Sequence, residues 1–142
     1  MALEHPAWNA ATDRRMRVLV VESNSGAREG LASALAEHCA LTFASGQHEA
    51  LTLITREAPD LVVSEVDLDE GDGISLCAAL RSQPQTERLP LMLLSGRSSV
   101  QDRVAGFTAG ADDYVVKPFD SRLLHARLRL LARIKGLQSK GA

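Results

Sequence analysis

Residues Asp60–Gly73 read DLVVSEVDLDEGDG. Leu61, Val62 and Val63 run into Ser64 and Glu65, and a loop with four further carboxylates and two glycines follows. A run this apolar and this short, bounded by Pro59 and by a glycine-bearing loop, reads as a strand buried on both faces. In open parallel sheets the carboxyl ends of the strands are where sites form. A buried strand that ends on glutamate therefore delivers that glutamate to a candidate site.

The same signal recurs on either side. Short apolar runs lie at Arg17–Val21, Leu41–Ala44, Leu91–Ser95 and Asp113–Val116. Between them apolar residues take helical spacing. Ala27, Leu31, Ala34, Leu35 and His38 share one face. Ala50, Leu51, Ile54 and Thr55 share another, as do Ile74, Leu76, Cys77 and Leu80. A fourth helix has Val100, Val104 and Phe107 on its core side, and a fifth has Leu124, Leu128 and Leu131. The punctuation agrees with this division: Pro59 ends the second helix, Pro90 opens the fourth strand and Gly110 closes the fourth helix. Ser98 or Ser99 can cap the fourth helix, and Asp120 the fifth. Five strand–helix units with right-handed crossovers predict an α/β fold, a three-layer sandwich around a parallel five-stranded sheet.

Composition narrows the function. The chain has 142 residues, 45% hydrophobic and 24% charged, in the range of one ordinary globular domain. A net charge of −2 argues against a nucleic-acid-binding face. The basic stretch Arg127–Lys140 reads as a solvated helix side. No run approaches the roughly 18 apolar residues of a membrane span. The first fifteen residues lack a signal peptide's apolar core and read as a flexible tail, with Trp8 the one residue there suited to docking. Cys39 and Cys77 lie far apart in apolar helical surroundings, as reduced core thiols of a cytoplasmic protein do. His5, His38, His48 and His125 are too scattered for a ligand set.

The strand ends carry Glu22 and Ser23, then Glu65, then Ser95 and Gly96, then Lys117 and Pro118. Acids, a hydroxyl and a lysine at these places resemble the receiver domain of two-component response regulators. AGADDYVVKPFD at Ala109–Asp120 is similar to that family's fifth-strand signature. PDLVVSEVDLDEGDGISLCAALR at Pro59–Arg81 is similar to its third strand and helix. The resemblance implies the flavodoxin-like strand order 2-1-3-4-5, for which this family is a standing example. It divides the chain into an N-terminal tail (1–15), a receiver domain (16–135) and a C-terminal tail (136–142).

What the family does follows from the resemblance alone. A histidine kinase passes a phosphoryl group to an aspartate ending the third strand. Mg²⁺ is held by that aspartate, by an acid after the first strand and by a backbone carbonyl two residues past the acceptor. A hydroxyl ending the fourth strand and the lysine before proline bind the phosphoryl oxygens. An aromatic on the fifth strand turns with activation. On these positions Glu65 stands at the acceptor, Glu22 and Ser23 at the acidic pair and Asp67 at the carbonyl. Ser95, Lys117 and Tyr114 stand at the hydroxyl, the lysine and the aromatic.

Three departures matter: Glu65 replaces aspartate, Ser23 replaces a carboxylate, and Asp69 stands where the family usually has proline. Glutamate carries its carboxylate roughly 1.5 Å further out. Misplacement by about 1 Å can cost on the order of 10²-fold in a positioned transfer. Mg²⁺ demands near-ideal octahedral geometry, and Ser23 removes one charged ligand. The expectation is a degenerate, non-enzymatic receiver with weak or no Mg²⁺ binding, in which a Glu65–Lys117 pair replaces phosphate plus metal. Plant clock proteins contain pseudo-receivers with a similar change. The mimic is partial, because one carboxylate carries −1 against about −1.5 to −2 for phosphate. The alternatives are a working receiver using another acid, Asp67 being nearest, and a flavodoxin-like small-ligand domain, for which ESNSGARE offers a single glycine. Asp67, Asp69, Glu70 and Asp72 read as a solvated acidic loop.

The fifth helix also carries Leu123, Leu130, Ile134 and Leu137 beside its core stripe. Together the two stripes exceed the roughly 100° that a core-facing helix needs. That predicts a protein-partner surface on the fifth helix, and the resemblance implies that it belongs to the face made by the fourth helix, fifth strand and fifth helix, where receivers are commonly read. It would meet a second copy, an output domain, or a kinase or regulator, and it involves neither nucleic acid nor membrane.

Overall fold

A computed structural model describes residues 15–136. Trp8, His5, Leu137 and most of both expected tails lie outside the described residues. The elements run β1 (Met16–Val21), α1 (Ser25–Leu35), β2 (Cys39–Ala44), α2 (Gln47–Arg56), β3 (Leu61–Glu65) and α3 (Gly73–Arg81). Then come β4 (Leu91–Ser95), α4 (Val100–Thr108), β5 (Asp113–Val116) and α5 (Ser121–Ile134). The strands form one parallel sheet in the order β2-β1-β3-β4-β5.

Alternation along the strands divides the core in two. Val18, Val20, Leu61, Val63, Met92, Leu94 and Val115 face α1 and α5, where Leu31, Leu35, Leu124 and Leu128 close over them. Leu19, Val21, Val62, Leu91, Leu93 and Tyr114 face the opposite layer, with Ile54, Leu76, Cys77 and Leu80 from α2 and α3. Arg81 ties that layer together. Its guanidinium donates to the carbonyls of Leu89 and Gly110 and pairs with Asp112 at 3.0 Å. Both cysteines are buried, and burial pushes the Cys39 thiol up to about 11 and raises Cys77 as well, as suits unreactive core thiols.

Helix starts follow local chemistry. Asn24, Asp72, Ser99 and Asp120 each accept a backbone N–H of the turn they precede. Of the two serines open as caps for α4, Ser99 is the one used.

Three sequence expectations about helix faces fail. Thr55 is exposed, its hydroxyl turned back onto the Leu51 carbonyl. Val100, Val104 and Phe107 do share one face of α4, but it points outward, and they are 71%, 56% and 48% exposed. Gly106 is the seat of α4 instead. A Cβ there would lie 2.9 Å from the Tyr114 ring and 3.0 Å from Leu93, so the helix backbone rests directly on the core. His38 lies past the end of α1 and is exposed. Its ring stacks on His125 of α5, with centroids 4.0 Å apart and planes at 25°.

The stacked histidines carry a pH prediction. Burial lowers the His125 pKa from its ordinary 6.5, and the neighbouring His38 and Arg129 lower it further, against a weaker pull from Glu37. Folding therefore favours the neutral ring, and stability is fully present above about 6.5 and is lost as pH falls through the folded value. The urea midpoint of the wild type should drop more between neutral pH and about 5 than that of His125→Phe, which keeps the ring but cannot titrate. Parallel pH profiles for the two proteins would refute this.

Candidate functional site

Register and alternation build the site. Val21 pairs with Ser64, Glu65 with Leu94 and Ser95 with Val116. Glu22, Glu65 and Lys117 each stand an even number of residues beyond a side chain that faces α1 and α5, so all three emerge on that side of the sheet edge. Ser95 has the opposite parity. About 9.6 Å of sheet, two strand spacings, lies between β5 and β3. It takes the four-carbon stem of lysine and the longer arm of glutamate to meet across it.

They do meet. Lys117 Nζ lies 2.6 Å from Glu65 Oε1 and 3.1 Å from Glu22 Oε1. Glu22 is 3% exposed and Glu65 8%, so two carboxylates and one ammonium share a nearly dry pocket of formal charge −1. Burial works against the Lys117 charge, but the hydrogen bonds it donates to Glu65 and Glu22, with the charges of those carboxylates, outweigh it, and the amine titrates above its ordinary value. The remaining oxygens are engaged too. Glu22 Oε2 accepts the Asn24 N–H at 3.1 Å, and Glu65 Oε2 accepts the Asp67 N–H at 3.0 Å.

The other sequence-selected residues stand around this triad. Ser95 is fully buried, and its Oγ accepts the Arg97 N–H at 3.0 Å, capping the turn after β4. Tyr114 is turned inward, 6% exposed, and its hydroxyl donates to the Arg97 carbonyl at 2.8 Å. Asp67 points away from the pocket: both its oxygens pair with the Arg97 guanidinium at 3.0–3.2 Å. The Ser23 hydroxyl donates to the Ser45 carbonyl at 2.6 Å and accepts the Asp69 N–H at 2.8 Å.

The acidic loop is not simply solvated, as its sequence suggested. Asp67 is clasped by Arg97, Asp72 caps α3, and Glu70 Oε1 accepts the His48 N–H at 2.8 Å in the first turn of α2. Arg97 and Glu70 carry no sequence signal of their own. Only the parallel register, which puts the loops after β2, β3 and β4 at one sheet edge, brings out their roles.

The cation implied by the resemblance meets a poor donor set. Mg²⁺ is usually held by one or two carboxylates plus phosphate and water. Here an ammonium already sits between the two glutamates, and the Ser23 oxygen is spent on two loops. As arranged, both carboxylates are committed to Lys117 rather than held open for a divalent ion.

Residues 18–129 match the family model of the response regulator receiver domain. The chain belongs to the response regulator receiver family. It is 42% identical over 119 residues to response regulator MprA of Mycolicibacterium vanbaalenii, a match covering 83% of this chain and 51% of the relative. It thus spans about half the length of the curated relatives it matches. A putative response regulator from Chloroflexus aurantiacus superposes with a TM-score of 0.79 at 31% identity, covering 82% of this chain and 97% of that one. The BeF₃-activated receiver domain of Klebsiella pneumoniae RstA superposes at 0.76 and 32% identity, covering 82% and 98%. No helix among the described residues is long and apolar enough to cross a membrane.

Proposed function

We propose that this receiver signals without phosphorylation, as a non-enzymatic module of the cytoplasm, with Glu65 as a built-in partial stand-in for the phosphorylated state. The observation that carries this is the 2.6 Å Lys117–Glu65 pair, formed while Tyr114 is turned inward. In the family's scheme that lysine grips a phosphoryl oxygen and the aromatic turns with activation. Here the protein's own carboxylate holds the lysine. Asp67 is a poor substitute acceptor, since Arg97 holds both its oxygens outside the pocket.

Intact mass after incubation with acetyl phosphate and Mg²⁺ tests the reading. The wild type should gain no ~80 Da increment. Glu65→Asp alone should restore little, because Ser23 still leaves a cation short of a ligand. Glu65→Asp with Ser23→Asp should label better. BeF₃⁻, which activates the similar RstA receiver, should leave the spectra of this chain unchanged. Efficient labelling of the wild type would overturn the proposal.

Output runs through protein contact on the α4-β5-α5 face. Val100, Val104 and Phe107 join Leu123, Leu130 and Ile134 there as exposed large apolar residues. A second copy, an output domain or a kinase is the class of partner this face fits.

A further inference from the structure

We propose that Ser23 is the positioning residue of the loop between β3 and α3, and that its hydroxyl locks this loop to the start of α2 without a cation. The hydroxyl works in both directions at once. It donates to the Ser45 carbonyl at 2.6 Å, before α2, and accepts the Asp69 N–H at 2.8 Å, in the acidic loop. Few side chains can do both. Alanine does neither. Aspartate can accept from Asp69 but would set a carboxylate against the Ser45 carbonyl. Proline at 69 would have no N–H to give. Ser23 and Asp69, two separate departures from the family pattern, thus become the two ends of one hydrogen bond.

The rest of the junction has the same character. The N-cap of α2 is Gly46, which has no side chain to cap with. Glu70 caps the helix from the neighbouring loop: its carbonyl accepts the Gln47 N–H at 3.1 Å and its Oε1 accepts the His48 N–H. In return Gln47 Oε1 accepts the Asp72 N–H at 3.1 Å. The two segments approach closely at two glycines. A Cβ on Gly46 would lie 2.8 Å from Glu70 Oε1, and one on Gly71, whose φ is +72°, only 2.5 Å from the Gln47 Cβ. The loop is therefore held by neutral and charge-assisted bonds, with Ser23, just past β1, linking it to the segment before α2.

The relay stands on this geometry; its independence from cation and phosphodonor rests on the proposed function. Amide hydrogen exchange on the full chain separates the two. In metal-free buffer the amides of Asp69 and Asp72 should be protected. Ser23→Ala should speed their exchange about tenfold, the worth of roughly one net hydrogen bond. Ser23→Thr, which keeps the hydroxyl, should restore protection, and Ser23→Asp should not. Rates unchanged by Ser23→Ala, or rescue by aspartate as good as by threonine, would overturn the relay. Adding Mg²⁺ and acetyl phosphate should leave the wild-type pattern as it was. A loop that needs the hydroxyl yet tightens on their addition would keep the relay and overturn the phosphorylation-independent reading instead.

Discussion

Replacing Lys117 with methionine should lower the free energy of unfolding by about 2–4 kcal/mol, although the side chain's volume is nearly kept. Methionine removes the ammonium from between two carboxylates whose side chains are only 5% and 9% exposed. An uncompensated buried charge is the expensive outcome, about 3–5 kcal/mol when burial is complete. The 28% exposure of Lys117 lets water screen part of that, hence the lower range. Two further measurements tie the loss to the triad. Adding Glu65→Gln to Lys117→Met should recover more than about 1 kcal/mol, since one charge then has no neighbour to repel. The alkaline limb of the stability curve should change as well. Lys117 titrates above its ordinary 10.5 in the folded chain, so its contribution is complete below that pH and fades as pH rises through the folded value. The methionine variant should lack this decline. A loss below about 1 kcal/mol, or additive double variants, would mean that the pocket is wet enough to leave the charges uncoupled.

The sequence showed the sheet well because its central strands β3 and β4 are buried throughout and the others are largely buried, and burial writes itself as apolar runs. Leu61–Glu65, Leu91–Ser95 and Asp113–Val116 match the observed strands residue for residue. Glu65 was legible as a candidate site residue because a charge ending a buried apolar run is delivered to the sheet edge, whereas Lys117 was legible through the Lys-Pro pair that resembles the family's signature. Periodicity was weaker on the helices. It can say that Val100, Val104 and Phe107 share a side, but not that the sheet meets the other side, a choice made by Gly106 and the Tyr114 ring. The acidic loop misled for another reason. Carboxylates read as solvated until the fold supplies Arg97 for Asp67 and the bare N-terminus of α2 for Glu70, partners 30 and 22 residues away in the chain. Such tertiary caps and clasps leave no local pattern.

Changing both Leu130 and Ile134 to glutamate should weaken association through α5 at least about 100-fold while leaving the fold intact. The helix is held to the sheet by Leu124, Leu128, Leu131 and Ala132, all buried, and neither substituted residue belongs to that set. Leu130 and Ile134 are 48% and 69% exposed and sit one turn apart on the outer side. Burying such a side chain against a partner is worth roughly 1.5–3 kcal/mol before association costs. Glutamate both removes that gain and adds a charge to be desolvated. A C₂ pair through this face would be self-complementary, with each α5 meeting its copy beside the outward residues of α4. Sedimentation of wild type and variant at tens of micromolar reads the self-association directly. If Glu65 holds the active arrangement, the wild-type result should be the same with and without acetyl phosphate. A monomeric wild type would rule out the second copy and leave a heterologous partner for this face. A variant that unfolds would show that these two side chains help to hold the core after all.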